Sequence, residues 1–419
     1  MLKIQFLGAT REVGRSAVLA MTEKTKMLLD YGVLFNHQPG FPMHVPPKEV
    51  DGIVMTHGHL DHSGAIPIFH IREKKRVFST ALSFDLARVL ISDFVHLSGY
   101  YLPFEYLELQ SMLQNGVRLG YRERQTIGDM ELQLLDAGHL PGSAQALVEA
   151  DGKRLVYTGD YNSINTRLLK KADEDYGPLD AFIVESTYAN EEHPDRATLE
   201  KEFVESVTNV VEDGGTVLVP AFSVGRSQEI ACVLTAFHFD HSITVDGMTR
   251  EANRIILGRR EFLGNPKLFL DMVNTVNPVE SWHDRRLAMN KPGVIVSPAG
   301  MLKGGPAAFY IQKVGKKSRN AVFLVSYQIP GTPGRELMDK GHCVIDGKMQ
   351  KIKAQLRHFD FSSHVGASQL QETVKKLEGN PKIYVMHGAE GNCERFAKWI
   401  REETGHEAVA PRSGDTFTV

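Results

Sequence analysis

Ile53-Val54-Met55-Thr56-His57-Gly58-His59-Leu60-Asp61-His62 is the stretch whose reading decides the fold of this chain. An apolar run of strand type ends in a turn that carries four metal-capable side chains within six positions. The order His-x-His-x-Asp-His lets one turn divide its ligands between two metal ions. Neutral imidazole and carboxylate together suit Zn²⁺. In a chain with 17 histidines a single one says little, whereas this density points to a metal centre.

Other apolar runs end the same way. Met27-Leu28-Leu29 leads to Asp30, Leu132-Gln133-Leu134-Leu135 to His139, and Leu155-Val156-Tyr157 to Asp160. Phe182-Ile183-Val184 leads to Glu185, and Ile383-Tyr384-Val385-Met386 to His387. Strands that terminate in ligand-type residues can line them along one sheet edge, where sites in α/β folds gather. Asp151-Gly152 and Asp346-Gly347 mark two hairpins.

From about residue 195 the pattern changes. A helical run over 197–211 stops at Gly214-Gly215, a strand follows at 216–219, and a further helix begins near Ser227. Strand and helix keep alternating to 320–325, which predicts a mainly parallel sheet. A last block is read as helix 367–378, strand 382–386, helix 391–403 and two short strands. Two small-residue loops precede helices, Pro220 to Ser227 and Ser297 to Gly305. Helix N-termini of that kind suit phosphate, and Arg226 adds a forked donor.

Bulk properties narrow the class. With 419 residues, 42% hydrophobic and 24% charged, the chain is long enough for two to three globular domains. Its three cysteines form no close pair, which argues against a disulfide framework and fits a reducing cytoplasm. No apolar run is long enough for a membrane span, and no secretory signal is read at the start. A net charge of −3 excludes a uniformly basic nucleic-acid binder. The remaining histidines, among them His37, His70 and His193, are read as surface or hydrogen-bonded residues, and Trp282 and Trp399 as packing residues.

The ordered set Asp30, His57-x-His59-x-Asp61-His62, His139 and Asp160 resembles the metallo-β-lactamase superfamily. Glu185-Ser186-Thr187-Tyr188, Phe361-Ser362-Ser363-His364 and Val385-Met386-His387-Gly388 resemble motifs A, B and C of its β-CASP nucleases. The resemblance implies an α/β fold, an αββα sandwich of two mixed sheets with an inserted α/β β-CASP domain. The sandwich is expected over 1–190 and 347–419, and the insertion over 191–346. Phe-Ser-Ser-His, Gly300-Met301-Leu302 and Gly331-Thr332-Pro333-Gly334-Arg335 resemble the branch of the cleavage and polyadenylation endonuclease subunit and its short archaeal and bacterial homologues. Leu60 and Ser363 depart from the RNase J pattern. With the first strand read from residue 2, no KH-type extension is expected.

What the resemblance implies about the site is specific. One zinc ion takes His57, His59 and His139, a second takes Asp61, His62 and His387, and Asp160 bridges them. Mn²⁺ is an alternative metal. Asp30 orients a ligand histidine. His364 is the general acid and Glu185 holds its ring. Ser223, Arg226, Gly304, Gly305, Ser362 and Ser363 contact substrate phosphates. The expected reaction is hydrolysis of single-stranded RNA to 5′-phosphate and 3′-hydroxyl ends, endonucleolytic, in a cytoplasmic enzyme without a membrane association. A homodimer and an RNA-processing or decay complex are the partners implied. A 5′→3′ exonuclease on the same site is the alternative. A small-molecule hydrolase explains the ligands but not the insertion, and the 227 positions from Asp160 to His387 exceed its spacing. A DNA-repair nuclease is disfavoured by His387, and a non-catalytic scaffold by the complete ligand set.

Overall fold

A computed structural model describes residues 1–35, 38–329, 331–345 and 347–419; His37 and Asp346 lie outside the described residues. The chain forms two compact units. The first comprises Met1–Asn165, Lys171–Glu192 and His364–Val419, and the second Thr166–Lys170 and His193–Ser363.

The first unit is built on two seven-stranded sheets. One runs in the order Thr416–Thr418, Lys3–Gly8, Ala17–Met21, Lys26–Leu29, Gly52–Val54, Arg76–Ser79, Gly116–Arg118. The other runs Ala408–Val409, Lys382–Met386, Ala181–Glu185, Lys153–Tyr157, Ala144–Ala150, Met130–Asp136, Arg124–Ile127. Both are mixed: Met130–Asp136 pairs antiparallel with Ala144–Ala150, while Ala181–Glu185 has parallel partners on both sides. All five residues of Ala181–Glu185 are buried, as expected of a strand covered on both faces. Phe6, Val18, Leu134, Ala146, Tyr157 and Tyr384 belong to the core shared by the sheets. Helices Ala81–Ser98 and Tyr106–Gln114 cover the first sheet through Phe84, Ile91 and Leu109. Helices Ala367–Lys375 and Glu390–Glu403 cover the second through Leu370, Cys393 and Phe396. The layers therefore run helix, sheet, sheet, helix.

The second unit holds a six-stranded sheet in the order Asn277–Pro278, Ile243–Val245, Gly293–Ser297, Thr216–Pro220, Ala321–Leu324, Gln355–His358, parallel throughout. Thr216–Pro220 and Gly293–Ser297 are fully buried, so the uninterrupted Val/Leu/Ile runs there are the expected pattern. The helix read at 197–211 spans Arg196–Glu212, and Asp195 caps it by accepting from Thr198 N.

Sequence and structure differ at several points, among them the helix read at 367–378, which ends at Lys375. The insertion is expected to end at 346, while the second compact unit runs on to Ser363, because Gln355–His358 pairs in register with Ala321–Leu324 and completes its sheet. Trp282, expected as a packing residue, is 59% exposed; it meets Phe309 edge-on, and the Arg285 guanidinium lies over its ring.

The outlying segment Thr166–Lys170 joins the second unit through two buried carboxylates, Glu229 and Glu200, the latter pairing with Arg167 at 2.7 Å and Arg196 at 3.0 Å, and through Gly264 N to Leu168 O at 2.9 Å. Glu229 accepts from the backbone N–H of Arg167 at 3.0 Å and of Leu168 at 2.8 Å, and pairs with Arg196. Removing one member of such a buried network costs about 3–5 kcal/mol. Glu229→Ala is therefore expected to lower the urea midpoint for unfolding of this unit, and an unchanged midpoint would show that the segment is held by other contacts.

Candidate metal centre

The His cluster sits where the sequence places it, on the turn after strand Gly52–Val54 and on the short helix Leu60–Ser63, which His59 precedes as its cap. Three backbone bonds brace that turn: Ser16 N to Asp61 O at 2.8 Å, Tyr31 N to His62 O at 2.9 Å and Val33 N to Leu60 O at 2.9 Å. The strand neighbour comes close enough to demand glycine, because a Cβ on Gly32 would stand 1.8 Å from Asp61 O. Asp30 and His387, each directly after a strand, adopt left-handed backbone at φ +57° and +48°. Such conformations are costly for non-glycine residues and are held by their surroundings. Asp30 N donates to Val54 O at 2.8 Å and His387 N to Ala9 O at 2.7 Å.

The side chains converge in two groups that share one residue. His57, His59, His139 and Asp160 place donor atoms within 4.8 Å of one another, and so do Asp61, His62, Asp160 and His387. The Asp160 carboxylate is divided between them. Its Oδ2 lies 3.8 Å from both His57 Nε2 and His139 Nε2. Its Oδ1 lies 3.3 Å from His62 Nε2 and 3.2 Å from His387 Nδ1. His387 Nε2 is in turn 3.6 Å from Asp61 Oδ2.

Charge and burial keep His57, His59, Asp61 and Asp160 in ligand form, whereas at His62 burial acts downward but Asp160 and Asp30 outweigh it and raise the pKa well above its ordinary value. Burial, followed by repulsion from neighbouring imidazoles, pushes the His57 pKa well down, so the ring is neutral with a lone pair to offer. Burial likewise lowers His59. For Asp160 burial acts upward, but His387, His62 and His364 outweigh it and hold the carboxyl well below its ordinary range. Asp61 follows the same logic with His387 and His62. Buried polar atoms normally find hydrogen-bond partners. Here His57 Nε2 and His387 Nε2 are buried without one. Two orphaned imidazole nitrogens among carboxylates fit a site built for cations.

Asp30 lies beneath the cluster, fully buried. It accepts from His62 Nδ1 at 2.7 Å, Thr56 N at 2.7 Å, Thr56 Oγ1 at 2.8 Å and the Tyr157 hydroxyl at 3.1 Å. Beside the cluster, His364 Nδ1 stands 2.9 Å from both oxygens of Glu185, whose Oε1 also accepts from Tyr161 N at 3.0 Å. Burial alone would depress the His364 pKa, but Glu185 and Asp160 reverse the effect and raise it to about 9. The His364 ring is 4.6 Å from that of His139 and remains 19% exposed.

Sequence reading did not single out Thr56, Tyr157 or Thr187. Thr187 Oγ1 donates to His387 O at 3.1 Å and lies 3.3 Å from its Nδ1. Their only sequence signal is adjacency: Thr56 precedes His57, and Thr187 lies within Glu185-Ser186-Thr187-Tyr188.

The residues expected at phosphates belong to the second unit. Arg226 Nη2 donates to Ser363 Oγ at 3.2 Å, and Ser362 N to Asp360 Oδ1 at 3.2 Å. Ser223 Oγ is directed at Met248 Sδ, 3.5 Å away. Gly304 and Gly305 open helix Gly305–Val314. Among the described residues no helix is long and apolar enough to cross a membrane.

Comparison with known proteins agrees with this geometry. Residues 27–220 match the beta-lactamase superfamily domain, 227–337 the Beta-Casp domain, and 349–411 the Zn-dependent metallo-hydrolase RNA specificity domain. The chain is 41% identical to RNase aCSPSF2 of Saccharolobus solfataricus over 99% of its own length and 85% of that protein. It is 33% identical to the probable RNase MJ4 of Methanocaldococcus jannaschii over the whole of both chains. Identity to transcription termination factor FttA of the same organism is 31%, covering 100% of this chain and 72% of that one. A crystal structure of an Enterococcus faecalis protein of unknown function shares the fold at a TM-score of 0.62, with 12% identity and full coverage of both chains. With fold, site and relatives in agreement, the chain belongs to the β-CASP ribonuclease family of the metallo-β-lactamase superfamily.

Proposed function

We propose that this protein is a two-metal ribonuclease, with zinc as its metal, that cuts single-stranded RNA internally to leave 5′-phosphate and 3′-hydroxyl ends. The observation that carries the reading is the Asp160 carboxylate, one oxygen turned to each histidine group, next to the His364–Glu185 pair. His57, His59 and His139 would hold one ion, Asp61, His62 and His387 the other, with Asp160 shared. When bound, such ions supply Lewis-acid activation of water and neutralise phosphate charge.

The chain's own residues do the rest. Asp30 accepts the His62 Nδ1 proton, which fixes the ring and leaves Nε2 for coordination. Glu185 accepts from His364 Nδ1 and favours the imidazolium. His364 Nε2 then carries a proton to the departing 3′-oxygen as the P–O3′ bond breaks; the oxygen of water bonds to phosphorus, its proton leaves to solvent, and His364 is reprotonated from solvent. Ser223, Arg226, Gly304, Gly305, Ser362 and Ser363 are assigned to flanking phosphates, with Arg226 the strongest donor. On the same reading the enzyme is cytoplasmic and acts in RNA processing or decay, with a second copy of the chain or a processing complex as protein partners.

The test is cleavage of 5′-end-labelled single-stranded RNA with Zn²⁺ or Mn²⁺. Internal fragments are expected from the wild type, and chelation should abolish them. First release of labelled mononucleotide would replace the internal cut by 5′→3′ exonuclease action. His364→Ala is expected to slow cleavage by roughly 10²–10⁴-fold with metal content unchanged; cleavage at the wild-type rate would remove the general-acid assignment. Asp61→Ala should lose metal and activity together. For Asp30→Ala, metal titration is expected to give affinity lower by roughly 10–100-fold; unchanged affinity would leave Asp30 no orienting role.

A further inference from the structure

Gly300-Met301-Leu302 and Gly331-Thr332-Pro333-Gly334-Arg335, which set the sequence apart within its family, have no part in the metal centre. Within the second unit they lock together at the carboxyl ends of the parallel strands. Gly334 N donates to Met301 O at 2.8 Å. Gln328, 1% exposed, uses its side-chain amide to bind Gly300 O at 3.2 Å and Ser326 O at 2.9 Å. A Cβ on Gly334 would stand 1.8 Å from Gln328 Oε1, so glycine is required there. On its other side the Gly300 backbone lies against the loop after Thr216–Pro220, where a Cβ on Gly300 would be 3.2 Å from Phe222 N.

This lock fixes the backbone beside two aromatic residues that it leaves in solvent. Phe222 is 38% exposed and Tyr327 44%. They follow neighbouring parallel strands, since Leu218 of one pairs with Val322 of the other; the Phe222 backbone lies against Gly300, whose carbonyl accepts from the side chain of Gln328, the residue after Tyr327. Ile329, 43% exposed, extends the apolar surface. Ser326, next to Tyr327 and 3% exposed, has a hydroxyl with no hydrogen-bond partner. Loops 221–226 and 298–305 carry Arg226 and Lys303 and contain no Asp or Glu, while Arg335, on helix Pro333–Lys340, pairs with Asp339 at 2.8 Å. The N-terminus of helix Gly305–Val314 opens from the middle loop.

Rigid backbone, exposed rings, cations and an unmet hydroxyl describe a surface for an anionic ligand with flat faces. We infer that Phe222 and Tyr327 form a stacking platform for unpaired bases of single-stranded RNA, with the cations beside them serving the phosphates. Every base has a π-face, so such a platform selects single strands without demanding a sequence. The inference rests on the ribonuclease reading above and adds to it how unpaired substrate is recognised.

Competition against cleavage of labelled RNA by the metal-loaded enzyme tests it. Inhibition constants are measured for a short single strand and for a strand of equal length whose sugars carry no bases. Phe222→Ala and Tyr327→Ala are each expected to weaken the normal strand at least about 5-fold and to leave the baseless strand unchanged. Phe222→Trp and Tyr327→Phe should keep wild-type values. Equal losses on both strands would mean a damaged loop, and no loss on either would make the rim a protein-docking surface; both overturn the platform while cleavage itself stands. Wild-type enzyme that cleaves no RNA would instead remove the ribonuclease reading and the platform with it.

Discussion

A buried charge holds the first unit together. Asp30 follows strand Lys26–Leu29 of one sheet and receives the hydroxyl of Tyr157 from the other. A carboxylate without solvent is tolerated only when its lone pairs are filled, and stranding it costs several kcal/mol. Thr56, His62 and Tyr157 fill them. The requirement fixes three things at once: the approach of the two sheets, the turn that begins at Thr56, and the ring orientation of His62. The left-handed backbone at Asp30 is the local cost of bringing the carboxylate into that position.

Around this fixed point the electrostatics divide into two kinds of histidine. His57 and His59 are driven neutral by burial among other imidazoles. His62 and His364 are driven the opposite way against burial, His62 by Asp160 and Asp30 and His364 by Glu185 and Asp160. Rings within a few ångströms of one another thus differ in protonation because their nearest partners differ. On the mechanism proposed here, His57 and His59 offer lone pairs and His364 offers a proton.

Much of this was legible in the sequence. Strand ends announced themselves as apolar runs closed by Asp30, His57, Asp160, Glu185 and His387, and the structure sets all five at one cluster. Helices at 197–211 and 391–403 were legible within a residue or two, because their periodicity and stops are local properties. Long-range choices were not. The end of the insertion depended on which sheet would take Gln355–His358, and nothing within those four residues records the partner. Thr56 and Tyr157 look like ordinary strand-end residues until the carboxylate they satisfy is in place. Trp282 illustrates the converse, a large ring whose size suggests a core that it does not enter.

The order of the site along the chain has a consequence during synthesis. His57 emerges from the ribosome early, whereas His364 and His387 come after the whole stretch His193–Ser363. On the site proposed here, a growing chain therefore has part of its cation cage but neither the proton donor nor the last ligand. On the function proposed here, the polypeptide stays harmless to the message being translated until His387 has been made.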